Sequence, residues 1–138
     1  MADTDIDFDL LVKAGGPVRH FEAGAIIFGE GDPAAELFVV KSGTVEIRIG
    51  SRPIGTLGER SIFGEMALID GRPRSATALA LADTELIPLG EKGFSLLVAY
   101  HPKFALSMLR VMVKHLRAVD AIIHKEPDSQ NGIGAGDR

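Results

Sequence analysis

From Val18 onward the hydrophobic positions come in short bursts separated by glycine-centred breaks. Val18 to Phe21, Ala25 to Phe28, Leu37 to Lys41, Thr44 to Ile49 and Ile54 to Leu57 are rich in Val, Ile, Phe and Thr. Between them lie Ala23-Gly24, Gly29 to Pro33, Ser42-Gly43 and Gly50 to Pro53. Bursts of this length, punctuated regularly by turn residues, predict strands of a barrel or jelly roll rather than helices. Glu46 and Arg48 alternate with Val45, Ile47 and Ile49, the period of a half-buried strand. Two more strands, Ala76 to Leu81 and Thr84 to Leu89, follow, with Asp83 in the turn between them.

Helical patterns flank this region. Phe8, Leu10, Leu11 and Val12 predict a short docking helix that Gly15-Gly16-Pro17 ends, after a polar start in which Asp3, Asp5, Asp7 and Asp9 alternate and the first residues fray. A second helix is expected over about Glu91 to Tyr100. It stops near His101-Pro102, because the residue before proline is driven out of the α region while proline suits a helix start. A third runs from Pro102 to about Lys125. At 100° per residue, Lys103, Arg110, Lys114, Arg117 and Lys125 share one wedge of it. Phe104, Met108, Leu109, Val111, Met112, Leu116, Val119, Ile122 and Ile123 spread over about half the circumference. That arc is wider than one packing face requires, so two burials are expected: one against the strands, another against a second copy of the helix or as a movable lid.

The expected architecture is therefore mainly β with flanking helices. It comprises an eight-stranded antiparallel β-roll or jelly roll at about 18–89, a short N-terminal helix, a short helix within the roll and two C-terminal helices at about 91–125. One domain is expected over residues 1–125. The polar, Gly-rich stretch 126–138 reads as a disordered tail.

Composition narrows the function classes. A chain of 138 residues has room for one core of ordinary size, and 46% hydrophobic with 25% charged residues is a globular balance. No apolar run approaches the roughly 18 residues of a membrane span. The acidic N-terminus lacks the basic region of a signal peptide, and with no cysteine there is neither a disulfide framework nor a thiolate metal site. A cytoplasmic protein is expected. Net charge is −4, from 15 basic and 19 acidic residues, which speaks against a dedicated nucleic-acid binder despite the basic wedge. His20, His101, His115 and His124 form no HxH or HExxH spacing, so no metal site is expected. Ser61, Ser75 and Thr77 have no histidine placed locally to activate them, and no catalytic residue is assigned.

The chemistry concentrates in FGEMALIDGRPRSAT, residues 63–77. Gly64 has no Cβ, so a ligand can approach its backbone, and the apolar run Met66-Ala67-Leu68-Ile69 is long enough for about one helical turn whose first N–H groups attract an anion. Arg74 adds a planar, permanently charged fork that matches two phosphate oxygens. Ser75 supplies a hydroxyl, and Ala76 is small enough to leave its N–H accessible. Glu65, nine residues before Arg74, is the informative misfit. A carboxylate beside a phosphate is repelled unless it takes a neutral hydroxyl donor of the same ligand. A ribose 2′-OH satisfies it, and a compact ligand carrying one phosphate beside one free ribose hydroxyl is a nucleoside 3′,5′-cyclic monophosphate.

These fifteen residues resemble the phosphate-binding cassette of cyclic-nucleotide-binding domains, the modules of cAMP-dependent kinase regulatory subunits and catabolite-activator-type regulators. The glycine-punctuated run FEAGAIIFGEGDPAAELFVVKSGTVEI is similar to the β-roll of the same family, so the likeness covers roughly residues 18–125. The resemblance implies that Glu65 holds the 2′-OH and Arg74 the cyclic phosphate, with Gly64, Met66, Ala67, Ser75 and Ala76 completing the cradle. It also implies that the helices after the roll move to cover the base. Ser at position 75 leans towards cAMP over cGMP, since Thr after the cassette Arg favours cGMP in several members. Ile47 and Ile54 match apolar positions flanking the base. Val119 and Asp120 fall where the catabolite-activator type has a Thr-Ser pair that touches adenine, a departure from the family pattern. The chain reads as a solitary module: a cyclic-nucleotide sensor acting on a separate effector protein or by self-association through the helix at about 102–125. The alternatives are a ligandless protein-interaction scaffold of the same fold, or a DNA-contacting regulator without a helix-turn-helix.

Overall fold

The computed structural model of the protein describes residues 7–124, with side chains through residue 114. The fraying start before Asp7 and the tail expected over 126–138 lie outside the described residues. In chain order the elements are α1 (Phe8–Gly15), β1 (Arg19–Phe21), β2 (Ile26–Phe28), β3 (Glu36–Ser42), β4 (Val45–Ile49), β5 (Arg52–Leu57), β6 (Ile62–Phe63), α2 (Met66–Ile69), β7 (Thr77–Ala80), β8 (Thr84–Gly90), α3 (Glu91–Tyr100) and α4 (Pro102–His124). The eight strands pair antiparallel in two four-stranded sheets, ordered β1-β8-β3-β6 and β2-β7-β4-β5.

Seven strands lie where the apolar bursts place them. The eighth, β6, has two residues, too few for any alternation to show, and is a strand because Ile62 and Phe63 pair with Val39 and Phe38 of β3. The reversal after β4 is tighter than the expected turn over Gly50 to Pro53. Gly50, at φ 62°, and Ser51 make it alone, so Arg52 and Pro53 already pair with Ile49 and Arg48.

The first sheet is covered on both faces, which explains why Leu37-Phe38-Val39-Val40 is a continuous apolar run. Leu37 and Val39 join Ile62, Ile87 and Leu89 in a core shared with Leu11 of α1, Leu97 of α3, and Ala105, Met108 and Met112 of α4. Phe38 and Val40 belong instead to the core between the sheets, with Phe63, Leu86, Val45 and Ala78. The outer face of the second sheet meets water. On β4, Val45 is buried and Ile47 packs against the core between the sheets, whereas Ile49, farther along the same strand, is 42% exposed.

The helices cap this sandwich. Asp7 caps α1, accepting a hydrogen bond from the Leu10 N–H at 3.1 Å. α3 ends at His101, whose N–H donates to the Leu97 carbonyl, and Pro102 opens α4. Of the wide apolar arc of α4, Met108 and Met112 are buried, Phe104 and Val111 pack partly buried against the same core, and Leu109 stays 42% exposed. Leu106 and Val113, beside the arc, are 45% and 44% exposed, whereas Ala105 is buried. One of the two expected burials is thus made within the chain.

α1 sits close against β8 and α3 because two glycines let it. A Cβ on Gly15 would overlap the Pro88 carbonyl oxygen, and one on Gly93 would lie 2.6 Å from the Ala14 carbonyl oxygen. Gly15→Ala should therefore lower stability by about 1–3 kcal/mol, the cost of overpacking against backbone that has to move. Gly55→Ala, which has open space around its Cβ, should stay within about 0.5 kcal/mol of the parent. Urea unfolding of the two variants checks the difference.

Candidate functional site

The stretch between β6 and β7 is shaped by its turn residues. Gly64, at φ 74°, turns the chain sharply out of β6, and Glu65 follows in the right-handed α region. The α2 turn is short: the Ala67 N–H donates to the Gly64 carbonyl at 3.2 Å and the Leu68 N–H to the Glu65 carbonyl at 3.0 Å. Asp70 ends it, with its carboxylate accepting from the Arg72 N–H at 3.0 Å, and Gly71 at φ 66° carries the chain into Pro73 and Arg74.

Arg74 is held from the other side of the roll. Its N–H donates to the Asp32 carbonyl and its carbonyl accepts from the Gly31 N–H, both at 2.8 Å. The Asp32 carboxylate in turn accepts from the Gly29 N–H at 2.8 Å, fixing the turn after β2. The Arg74 side chain then runs inward and is only 9% exposed. One terminal N–H donates to the Gly64 carbonyl at 3.2 Å, the other to the Glu36 carbonyl at 2.7 Å. Its Cζ lies 4.0 Å from the Phe28 ring centroid. Its buried Nε has no hydrogen-bond partner among the described residues.

Glu65 is buried too, at 3% exposure. A carboxylate and a guanidinium are thus both withdrawn from bulk water beside one concavity. Burial pushes the Arg74 guanidinium below its ordinary pKa, and the more distant Glu36 and Asp32 carboxylates work in the opposite direction. Because no carboxylate among the described residues forms an ion pair with Arg74, an anion entering the concavity would offset that desolvation.

Gly64, Glu65, Met66, Ala67, Arg74, Ser75 and Ala76 all line a single cavity of about 370 Å³, within the usual range for small-molecule sites. Ile47 and Ile54 line it as well and contribute apolar surface. Val119 and Asp120 lie on α4 at positions whose side chains fall outside the described residues. Sequence reasoning did not single out Phe28, Ala34, Ile49, Phe63, Asp70, Arg72 and Pro73 as lining residues. Ile49 shares a face of β4 with Ile47, so the period-two pattern carried that signal; Phe28 comes to the cavity on β2, which pairs with β7, and Ala34 from the loop before β3, placements that no local pattern reveals. Among the described residues no group of three or more His, Asp or Glu gathers as a metal site would need, and no helix is long and apolar enough to cross a membrane.

Residues 18–101 match the family model described as the cyclic nucleotide-binding domain. The cyclic AMP receptor protein of Thermus thermophilus is 35% identical over 107 residues, covering 74% of this chain and 50% of that protein. A cyclic nucleotide-gated potassium channel of Rhizobium etli is 37% identical over 95 residues, covering 69% of this chain and 26% of the channel. The chain therefore spans half or less of the length of these relatives. Among solved structures, the Thermus thermophilus catabolite activator protein superposes with a TM-score of 0.71 at 33% identity, covering 85% of this chain and 57% of that one.

The left-handed backbone at Gly64 gives a direct test of how the site is built. A Cβ there would lie 2.7 Å from an Arg74 terminal nitrogen. Gly64→Ala should cost about 1–2 kcal/mol from the backbone conformation alone, and more if Arg74 cannot yield. Equilibrium unfolding of the purified variant measures it, and a loss under about 0.5 kcal/mol, the range of inert surface changes, would contradict the geometry.

Proposed function

The chain belongs to the cyclic nucleotide-binding domain family, and on that premise we propose that it is a sensor that binds a 3′,5′-cyclic nucleotide, cAMP in preference to cGMP, and signals through α3 and α4. The observation that carries this reading is the gathering of Glu65 and Arg74, both buried, with the rest of the cassette around one cavity. Arg74 neutralises the cyclic phosphate, and Glu65 accepts the ribose 2′-OH. Gly64, Met66, Ala67, Ser75 and Ala76 close around the phosphate. Ile47 and Ile54, joined by Ile49, flank the base, while Val119 and Asp120 are the α4 positions assigned to its far edge. The role is regulatory, and no catalytic step is assigned to this domain.

Occupancy acts as a population shift. The ligand favours whichever arrangement of α3 and α4 gives it additional contacts, and by no more than the free energy of those contacts. Two matched relatives carry different outputs, one named a receptor protein and the other a potassium channel. The output of this chain is proposed to be contact with a separate effector or with a second copy of itself. Self-association is supported by the strip Leu106, Leu109 and Val113, spaced three and four apart on α4 and exposed. The sequence continues that spacing at Leu116. A seam of this period packs against a like helix.

In a thermal-shift panel, cAMP at ~100 times its Kd should stabilise the protein by about 2.7 kcal/mol. Equal affinity for cAMP and 5′-AMP would contradict recognition of the cyclic phosphate. Arg74→Ala should weaken cAMP binding by about 2–5 kcal/mol, as loss of one partner of a shielded charge pair does. Glu65→Ala should weaken it by less, about 1.5–3 kcal/mol. In sedimentation equilibrium the parent should dimerise and Leu109→Glu should be monomeric with cAMP affinity retained. A monomeric parent at high concentration rules out the self-association arm.

A further inference from the structure

We infer that Phe28, on β2 and outside the cassette, is a positioning residue for the phosphate site: its ring is the platform on which the Arg74 guanidinium is laid flat. This rests on the cyclic-nucleotide reading and extends it to a residue 46 positions earlier in the chain.

β2 and the turn after it hold Arg74 at both ends. Gly31 and Asp32 clamp its backbone through two hydrogen bonds of 2.8 Å. Phe28, at the start of the same turn, lies under its Cζ at 4.0 Å from the ring centroid. The ring is itself immobilised, with its centroid 6.2 Å from that of Phe38 and 6.0 Å from that of Phe63. Phe38 is farther from the guanidinium, at 5.8 Å, so Phe28 makes the close contact. A Cβ on Gly64 would sit 2.7 Å from the Arg74 terminal nitrogen and 3.6 Å from a Phe28 ring carbon, so the cation lies between a ring face and a backbone that has no side chain.

The Gly64 and Glu36 carbonyls then fix its rotation by taking one terminal N–H each. A planar cation pinned on one face and at two donors has lost most of its rotamer freedom before any ligand arrives. It meets an anion with its remaining donors already oriented, so less entropy is lost on binding. In a site shielded from water the negative face of an aromatic ring also stabilises the charge, which an aliphatic side chain of equal bulk does not.

That difference separates positioning from packing. Phe28→Leu keeps an apolar side chain and removes the ring; Phe28→Tyr keeps the ring; Phe21→Leu removes a ring packed elsewhere against the same core. By calorimetry, Phe28→Leu should bind cAMP roughly ten-fold more weakly, the scale of a desolvated cation–π contact, while Phe28→Tyr and Phe21→Leu stay within about two-fold of the parent. An unchanged affinity in Phe28→Leu, or an equal loss in Phe21→Leu, overturns the inference. Phe28→Met serves in place of Phe28→Leu should the latter not fold. Independently of any ligand, the Arg74 Nε–H proton resonance of the parent should be displaced upfield by the ring and return downfield in Phe28→Leu but not in Phe21→Leu. A parent that binds no cyclic nucleotide sinks the functional reading alone, and the resonance then decides the stack: an undisplaced Arg74 signal overturns it.

Discussion

A guanidinium kept away from water at the seam between two sheets is the constraint on which this architecture turns. Arg74 is charged at any ordinary pH, and its burial is costly unless its donors and its face find partners. Those partners come from four separate parts of the chain. Asp32 and Gly31 hold the backbone, the Gly64 and Glu36 carbonyls take two side-chain donors, and the Phe28 ring lies under Cζ. Removing the charge would leave the Gly64 and Glu36 carbonyls without the donors that tie them together, while the backbone bonds to Gly31 and Asp32 would remain. The cavity is the space that this convergence leaves open.

The same convergence gives a short physical route from the cavity to the helices. Glu36, whose carbonyl accepts from Arg74, is the first residue of β3 and pairs with Gly90 of β8. Gly90 is also the N-cap of α3. A ligand that binds the remaining donors of Arg74 therefore loads a side chain tied to a strand end that abuts the first turn of α3. α3 in turn packs with α4 in the core that includes Leu97, Ala105 and Met108. A route is not yet a switch, since coupling requires the two helix arrangements to differ in their contacts with the ligand. The exposed strip on α4 is where such a difference would reach a partner.

Much of this was legible in the sequence, and the parts that were not have a common cause. Local patterns located α1, α3, α4 and seven strands because each carries its own periodicity or its own stop signal, such as Pro102 after His101. β6 escaped because two residues have no period; only its pairing with β3 makes it a strand. The turn before β5 is shorter than its composition suggests, because Pro53 sits in an edge strand that tolerates a missing donor. At the cavity, the cassette residues share one stretch of chain and could be found by their chemistry. Phe28 could not, since what marks it is a contact with Arg74 made only once β2 and the cassette have been folded together. The α4 arc read from the sequence contains Leu109 but neither Leu106 nor Val113, so the exposed strip only borders the arc.

The cavity wall also bears on which base it would prefer. Ile47, Ile49 and Ile54 contribute apolar surface and no side-chain donor or acceptor, so they stabilise any purine by burial without reading its edge. Discrimination between adenine and guanine rests on hydrogen-bonding groups, because a buried polar group left unmatched is what penalises the wrong ligand. On the proposed pose the cassette supplies Ser75, and Asp120 is an α4 position assigned to the base. Affinity would then rest mainly on phosphate and ribose contacts of the roll, which hold any cyclic nucleotide, and selectivity on Ser75 together with the helix. A sensor arranged that way reads the base with the same element that carries its output, so a ligand with the wrong base could occupy the roll yet leave α4 unengaged.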